Sequence, residues 1–90
     1  MILYVLRQDI EFEFDKINFY VNEENRNTEF DKRLKELLED KDLTIEYHTI
    51  NHFPKIKGGG RALSLKGYYD GDYHSTFHLS LYEEIIKTED

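Results

Sequence analysis

The sequence predicts an α+β fold, with a mixed or antiparallel sheet of four to five strands, one main helix at about residues 28–40, and a short C-terminal helix. Three observations support this fold class. Apolar residues alternate in several segments with the period of strands, and they recur in one segment with the spacing of a helix. In addition, Asp70-Gly71 is typical of a hairpin turn. Ninety residues are enough for one domain, which we place at 1–90.

The N-terminal part predicts two strands and a third strand-like segment between them. Ile2–Leu6 is continuously apolar, as in a strand that is covered on both faces. Glu11–Phe14 alternates between acidic and aromatic residues, which predicts a half-buried strand or the start of one. The apolar positions then change from even to odd numbers. A bulge or turn near residues 15–16 is therefore required before a second strand at about 16–22.

The main helix is predicted to begin at Thr28, which forms a variant capping box with Asp31. The apolar residues after it follow the spacing i, i+4, i+7 and i+8 and share one stripe: Phe30, Leu34, Leu37 and Leu38. Charged residues cover the remaining surface, and the helix is expected to end near Asp40.

The C-terminal half predicts three more strands, at about 43–50, 61–69 and 72–79, because apolar residues alternate in each. For the last two we expect a hairpin with a three-residue loop in which Gly71 is left-handed. This register pairs Leu63 with Phe77 and buries one coherent face.

A second capping box, Ser80–Glu83, precedes the apolar residues Ile85 and Ile86. This pattern predicts the short helix that closes the chain.

Composition excludes several classes of function. The absence of cysteine excludes disulfides, thiolate metal sites and thiol catalysis, and it fits a reducing compartment. No apolar run approaches the length of a membrane span, and the N-terminus lacks the pattern of a secretory signal. We therefore expect a cytoplasmic protein that does not bind membranes. A net charge of −7 disfavours general binding to nucleic acid.

One segment reverses this acidic balance. Residues 48–68 contain no acid and carry a formal charge of +4. Consecutive glycines let backbone N–H groups converge on an anion, and neighbouring cations add charge. The candidate ligand-binding residues are Lys55, Lys57, Gly58, Gly59, Gly60, Arg61 and Lys66. They predict, as an alternative function, a binder or sequestering protein for a small anionic ligand such as a nucleotide. The same segment also fits a basic connector without a ligand.

The histidines form two pairs at a spacing of four residues, His48 with His52 and His74 with His78. In a strand this spacing spans about 13 Å, which is too far for one metal ion. We therefore predict no metal site and no cofactor.

A local motif gives a third hypothesis. The segment 68–77, with its aromatic turn and its Asp, His, Thr and Phe residues, resembles the C-terminal hairpin of bacterial guanyl-specific ribonucleases. The resemblance implies RNA cleavage with His74 as general acid, Glu46 as base, and Arg61 on the phosphate.

The acids support our leading hypothesis, which is a small non-enzymatic binding protein. They are concentrated near both ends of the chain, and the candidate partner-binding residues are Glu11, Glu13, Glu23 and Glu24. Such a surface complements a basic protein surface. In size, acidity and composition the chain is similar to small bacteriophage and mobile-element proteins, the class of anti-restriction, anti-CRISPR and immunity proteins. That resemblance implies an inhibitor of a nucleic-acid-handling protein. Exposed tyrosines and edge strands are also compatible with a homodimer.

Overall fold

The computed structural model describes residues 1–54, 59–70 and 76–88. Their α+β fold agrees with the prediction. The elements in chain order are β1 (Ile2–Ile10), β2 (Lys16–Tyr20), α1 (Glu23–Glu39), β3 (Leu43–His52), β4 (Arg61–Tyr69) and β5 (Phe77–Lys87).

The strands form one antiparallel sheet in the order β2-β1-β5-β4-β3. Each hairpin pairs strands that are neighbours in sequence, whereas β5 returns to pair with β1 along its whole length, from Ile2 opposite Lys87 to Ile10 opposite Leu79. This long-range pairing places β5 between β1 and β4, near the middle of the sheet. It also brings the two ends of the described chain together, where the Thr88 N–H donates to the Met1 carbonyl at 2.9 Å.

The predicted short C-terminal helix is wrong, because residues 77–87 form β5. In this strand the odd-numbered Leu79, Leu81 and Glu83 are buried, which is the period of two that a sheet requires. Burial between two neighbouring strands outweighs the local capping signal at Ser80. The hairpin register also differs from the prediction, since Leu63 lies opposite Leu81 rather than Phe77.

The N-terminal half also differs from its predicted boundaries. The helix begins five residues before Thr28, because the Asn22 side chain caps it and accepts N–H hydrogen bonds from Glu24 at 2.8 Å and Asn25 at 3.3 Å. The strand predicted at residues 11–14 is wrong. These residues lie in the turn between β1 and β2, and the side chains of Phe12 and Phe14 are 93% and 100% exposed.

The core lies between α1 and one face of the sheet. It consists of Leu6, Phe30, Leu63, Leu65, Leu79 and Leu81, all of them buried. The helix packs mainly against β1, β2 and β5, so it covers one half of the sheet more fully than the other. None of the helical segments in the described ranges has both the length and the apolar character needed to cross a lipid bilayer.

Candidate functional site

Arg61, a candidate anion ligand, is held in an ion network between the sheet and the helix. Its Nε and Nη2 donate to the Glu83 carboxylate at 2.7 and 3.1 Å, and its Nη1 donates to Asp31 at 2.6 Å. The hydrogen bond to Glu83, more than that to Asp31, raises the pKa of Arg61 above its ordinary value. The guanidinium therefore links β4, β5 and α1.

Arg26 belongs to the same network and was missed by the sequence analysis. Its side chain is buried, its Nη1 donates to the Glu84 carbonyl at 2.8 Å, and its Nε lies 3.8 Å from the Glu83 carboxylate. The sequence predicts the start of the helix only at Thr28, two residues after Arg26. The signal that could have revealed it is the spacing, because Arg26 precedes Phe30 by four residues and extends the buried stripe of the helix by one turn.

Gly60 allows the chain to approach β5 closely. Its φ is +102°, and a Cβ atom there would lie 2.6 Å from the Glu83 carbonyl oxygen. The Phe53 N–H donates to the Gly60 carbonyl at 2.9 Å, so this backbone is fixed on both sides. Packing against β5 is therefore sufficient to explain this glycine.

The remaining candidate anion ligands are not gathered around Arg61. Lys66 lies five positions after Arg61 in β4, and this odd offset places it on the opposite face of the strand. Its amine is 3.5 Å from the Glu46 carboxylate. Lys55, Lys57 and Gly58 lie outside the described residues. The anion-binding hypothesis stays a prediction.

The three residues of the ribonuclease-like hypothesis are not brought together either. Glu46 is paired with Lys66, which is five residues and about 16 Å from Arg61 along β4. His74, like Gly71 of the predicted hairpin loop, lies outside the described residues. Within the described ranges, no group of three or more His, Asp or Glu side chains is arranged to hold a metal ion.

The four acids predicted to bind a partner are divided between two ends of the molecule. Glu11 and Glu13 lie in the turn after β1, beside the C-terminal end of α1, whereas Glu23 and Glu24 form the first turn of that helix. The length of α1 lies between the two pairs. With a rise of 1.5 Å per helical residue, this length corresponds to roughly 20 Å. They therefore do not form one patch.

The pair at the C-terminal end of the helix belongs to a larger surface, which we call the acidic end. It combines carboxylates with aromatic rings from the β1–β2 turn, the end of α1 and β4. Its members are Glu11, Phe12, Glu13, Phe14, Glu36, Asp40, Asp42 and Tyr69. Most of them surround the mouth of a cavity of about 670 Å³.

The β1–β2 turn displays its two phenyl rings on a fixed backbone. The Glu11 N–H donates to the His78 carbonyl at 2.9 Å, and the His78 N–H donates back to the Glu11 carboxylate at 3.1 Å. The Glu13 N–H donates to the Ile10 carbonyl at 2.9 Å. Phe12 has a φ of +71°, a left-handed conformation that costs an L-residue roughly 1–2 kcal/mol. The turn thus exposes an aromatic ring from a strained position.

The pKa of Tyr69 is raised by its position in the acidic end. Its ring stacks on Phe77 with centroids 5.6 Å apart. Burial raises the pKa of the Tyr69 hydroxyl above its ordinary value of 10.0, and the charges of Asp40, Glu13 and Asp42 raise it further. These carboxylates therefore act on the same hydroxyl although they come from two different segments of the chain, the β1–β2 turn and the connection between α1 and β3.

Removing one of these charges should lower the pKa of Tyr69. We expect Glu13→Gln to shift the ionisation of Tyr69 toward lower pH, whereas the distant Glu24→Gln should leave it unchanged. The folded protein holds the phenol proton more tightly than the unfolded chain, so this contribution to stability is complete below about pH 10 and is lost as the pH rises through the folded pKa. Ultraviolet absorbance titration of each variant, with Tyr69→Phe as the reference, measures the shift. Equal titration curves for both variants would contradict the position of Glu13 near Tyr69.

Comparison with known proteins adds no family to this description. No protein-family model matches the chain, and none of the curated proteins or solved structures compared with it is similar.

Proposed function

We propose that the chain is a non-enzymatic binding protein whose acidic end docks on a basic surface of a partner protein. The observation that supports this most strongly is the pair of exposed phenyl rings, Phe12 and Phe14, within a group of carboxylates. Solvent-exposed aromatic side chains are costly to keep in water and are typical anchors of protein interfaces. Carboxylates around them select partners with positive charge.

The charge of this surface indicates the kind of partner. Five carboxylates, those of Glu11, Glu13, Glu36, Asp40 and Asp42, belong to the acidic end. A cleft that binds nucleic-acid phosphates offers the complementary basic surface. We therefore propose that the partner handles nucleic acid and that occupation of its basic cleft inhibits it, in the manner of anti-defence or immunity proteins.

The division of the four predicted acids supplies a matched test. We expect Glu11→Gln with Glu13→Gln to weaken partner binding by about threefold to tenfold, because exposed ion pairs each contribute a few tenths to one kcal/mol. Glu23→Gln with Glu24→Gln removes the same charge from the other end of α1 and should leave binding unchanged. The measurement is the amount of partner that each tagged variant retains from a bacterial lysate, at low and at high salt.

Both double variants must first show the thermal unfolding and circular dichroism of the parent chain. We expect high salt to release the partner from the parent chain. We also expect the double variant Glu11→Gln with Glu13→Gln to retain little of it at low salt. Equal retention by both double variants would contradict the assignment of binding to the acidic end.

A further inference from the structure

We propose that the cavity of the acidic end receives one large apolar side chain from a basic segment of the partner, and that Nη1 of Arg33 donates a hydrogen bond to the main-chain carbonyl of that segment. This inference rests on the proposed function and specifies the partner's recognition element. It follows from the lining of the cavity, from the hydrogen bonds of Arg33 and from the charge at the mouth.

The cavity has the size and lining of a ligand pocket. Its volume of about 670 Å³ lies within the range of roughly 300–1,000 Å³ that is typical of binding pockets. Its apolar walls are formed by Ile10, Leu37, Tyr69, Phe77 and Leu79. Enclosure of an aromatic or long aliphatic side chain would remove apolar surface from water on both molecules, which is favourable.

Arg33 supplies a free hydrogen-bond donor in this lining. Its Nε donates to Glu29 at 3.1 Å and its Nη2 donates to Asn18 at 2.9 Å. Its Nη1 is buried and has no hydrogen-bond partner among the described residues. A buried donor without an acceptor is unfavourable, so a small rotation of the guanidinium that brings Nη1 to an oxygen of the ligand forms the missing bond and removes that cost.

The surrounding charges decide which oxygen is accepted. The Arg33 guanidinium is already paired with the Glu29 carboxylate, and the lining of the cavity includes Glu11, Glu13, Glu36 and Asp40. These carboxylates disfavour an anionic ligand and favour a neutral carbonyl that is flanked by cations. A peptide segment with an apolar residue between lysines or arginines supplies the anchor, the carbonyl and the charges together.

A short peptide with a single tryptophan tests the inference directly. The chain itself contains no tryptophan, so the peptide alone reports binding by fluorescence. The probe is an acetylated, amidated pentapeptide with tryptophan between two pairs of lysines, titrated with the full chain at low salt. We expect a saturable blue shift of its emission. Arg33→Lys keeps the charge but lacks the planar fork of guanidinium donors, so it leaves no N–H group in the place of Nη1 and should weaken binding by about tenfold.

Arg7→Lys is the matched control, because Arg7 pairs with Glu84 on the opposite face of the sheet, and it should bind like the parent chain. A peptide with alanine in place of tryptophan, labelled with a dye, tests the pocket without altering the protein and should bind at least tenfold more weakly. Equal binding of the two peptides would overturn the inference that the cavity receives an apolar side chain. The proposed function would still stand, because it fails only when partner retention is independent of Glu11 and Glu13. Binding of N-acetyltryptophanamide as tight as that of the basic peptide would also overturn the inference, in favour of a small-molecule site.

Discussion

Replacement of Glu83 by Gln is expected to lower the free energy of unfolding by about 3–5 kcal/mol. The Glu83 side chain is only 2% exposed and accepts two hydrogen bonds from Arg61, while the buried Arg26 lies 3.8 Å away. Loss of its charge leaves two guanidinium groups next to a buried neutral amide. Because small domains have a total stability of about 5–15 kcal/mol, this single change is expected to bring the protein close to unfolding.

Glu84→Gln is the control for this prediction. Glu84 is the next residue in β5 and also pairs with an arginine, Arg7, at 2.8 Å, but its side chain is 40% exposed. An exposed pair of this kind contributes at most about 1 kcal/mol. Urea unfolding of the two variants and the parent chain measures the difference. Similar losses for both variants would show that the network around Glu83 is not the main link between helix and sheet.

Replacement of Phe12 by Gly is expected to stabilise the fold while it weakens partner binding. Glycine adopts the φ of +71° without the steric cost that phenylalanine has there, so we expect a gain of about 1 kcal/mol in the free energy of unfolding. The ring is 93% exposed, so its removal sacrifices little burial. Loss of an aromatic anchor from an interface costs about 2 kcal/mol or more, which corresponds to binding that is weaker by about thirtyfold or more.

Unfolding by urea and retention of the partner, measured on the same preparation, test both halves of this prediction. Phe14→Ala is the control, because it removes the neighbouring exposed ring. This variant should weaken binding without the gain in stability. If the Phe12→Gly variant retains as much partner as the parent chain, Phe12 does not belong to the binding surface.

Much of the fold could be predicted because its signals are local. The alternation of Leu63 and Leu65 predicted a strand at 61–69, and the structure has β4 at those residues. The stripe of Phe30, Leu34 and Leu37 located the helix, and these residues do pack on the core. The spacing of apolar residues along an element reflects which of its faces is buried. This spacing can be read from a single sequence.

The errors arose where distant segments decide the structure. Residues 80–83 match a capping box, but Leu81 lies opposite Gln8 of β1 and Leu63 of β4, and those contacts are encoded far away in the sequence. The register error in the hairpin has the same origin, since it shifted the pairing by four residues without changing the buried face. Alternation in Glu11–Phe14 was read as a strand, although the chain turns there and exposes both rings.

The candidate site was predictable only in part. Glu11 and Glu13 are among the predicted partner-binding residues, whereas Glu36, Asp40 and Asp42 are not. Whether Glu13 lies near Asp40 or near Glu23 depends on the direction of α1 across the sheet, which no local pattern specifies. The roles of Tyr69 and Arg33 depend on the same placement. The sequence identifies Arg61 as a candidate anion ligand, whereas its hydrogen bonds to Glu83 and Asp31 involve partners from β5 and α1 that no local pattern specifies.

Zero-length carbodiimide crosslinking of the chain to its captured partner, followed by peptide mass spectrometry, tests the location of the binding surface most directly. The reagent joins carboxylates to lysines that are in contact. We predict crosslinks from Glu11, Glu13, Glu36, Asp40 or Asp42 to lysines of the partner. Crosslinks concentrated at Glu23 and Glu24, with none from the acidic end, would contradict the account.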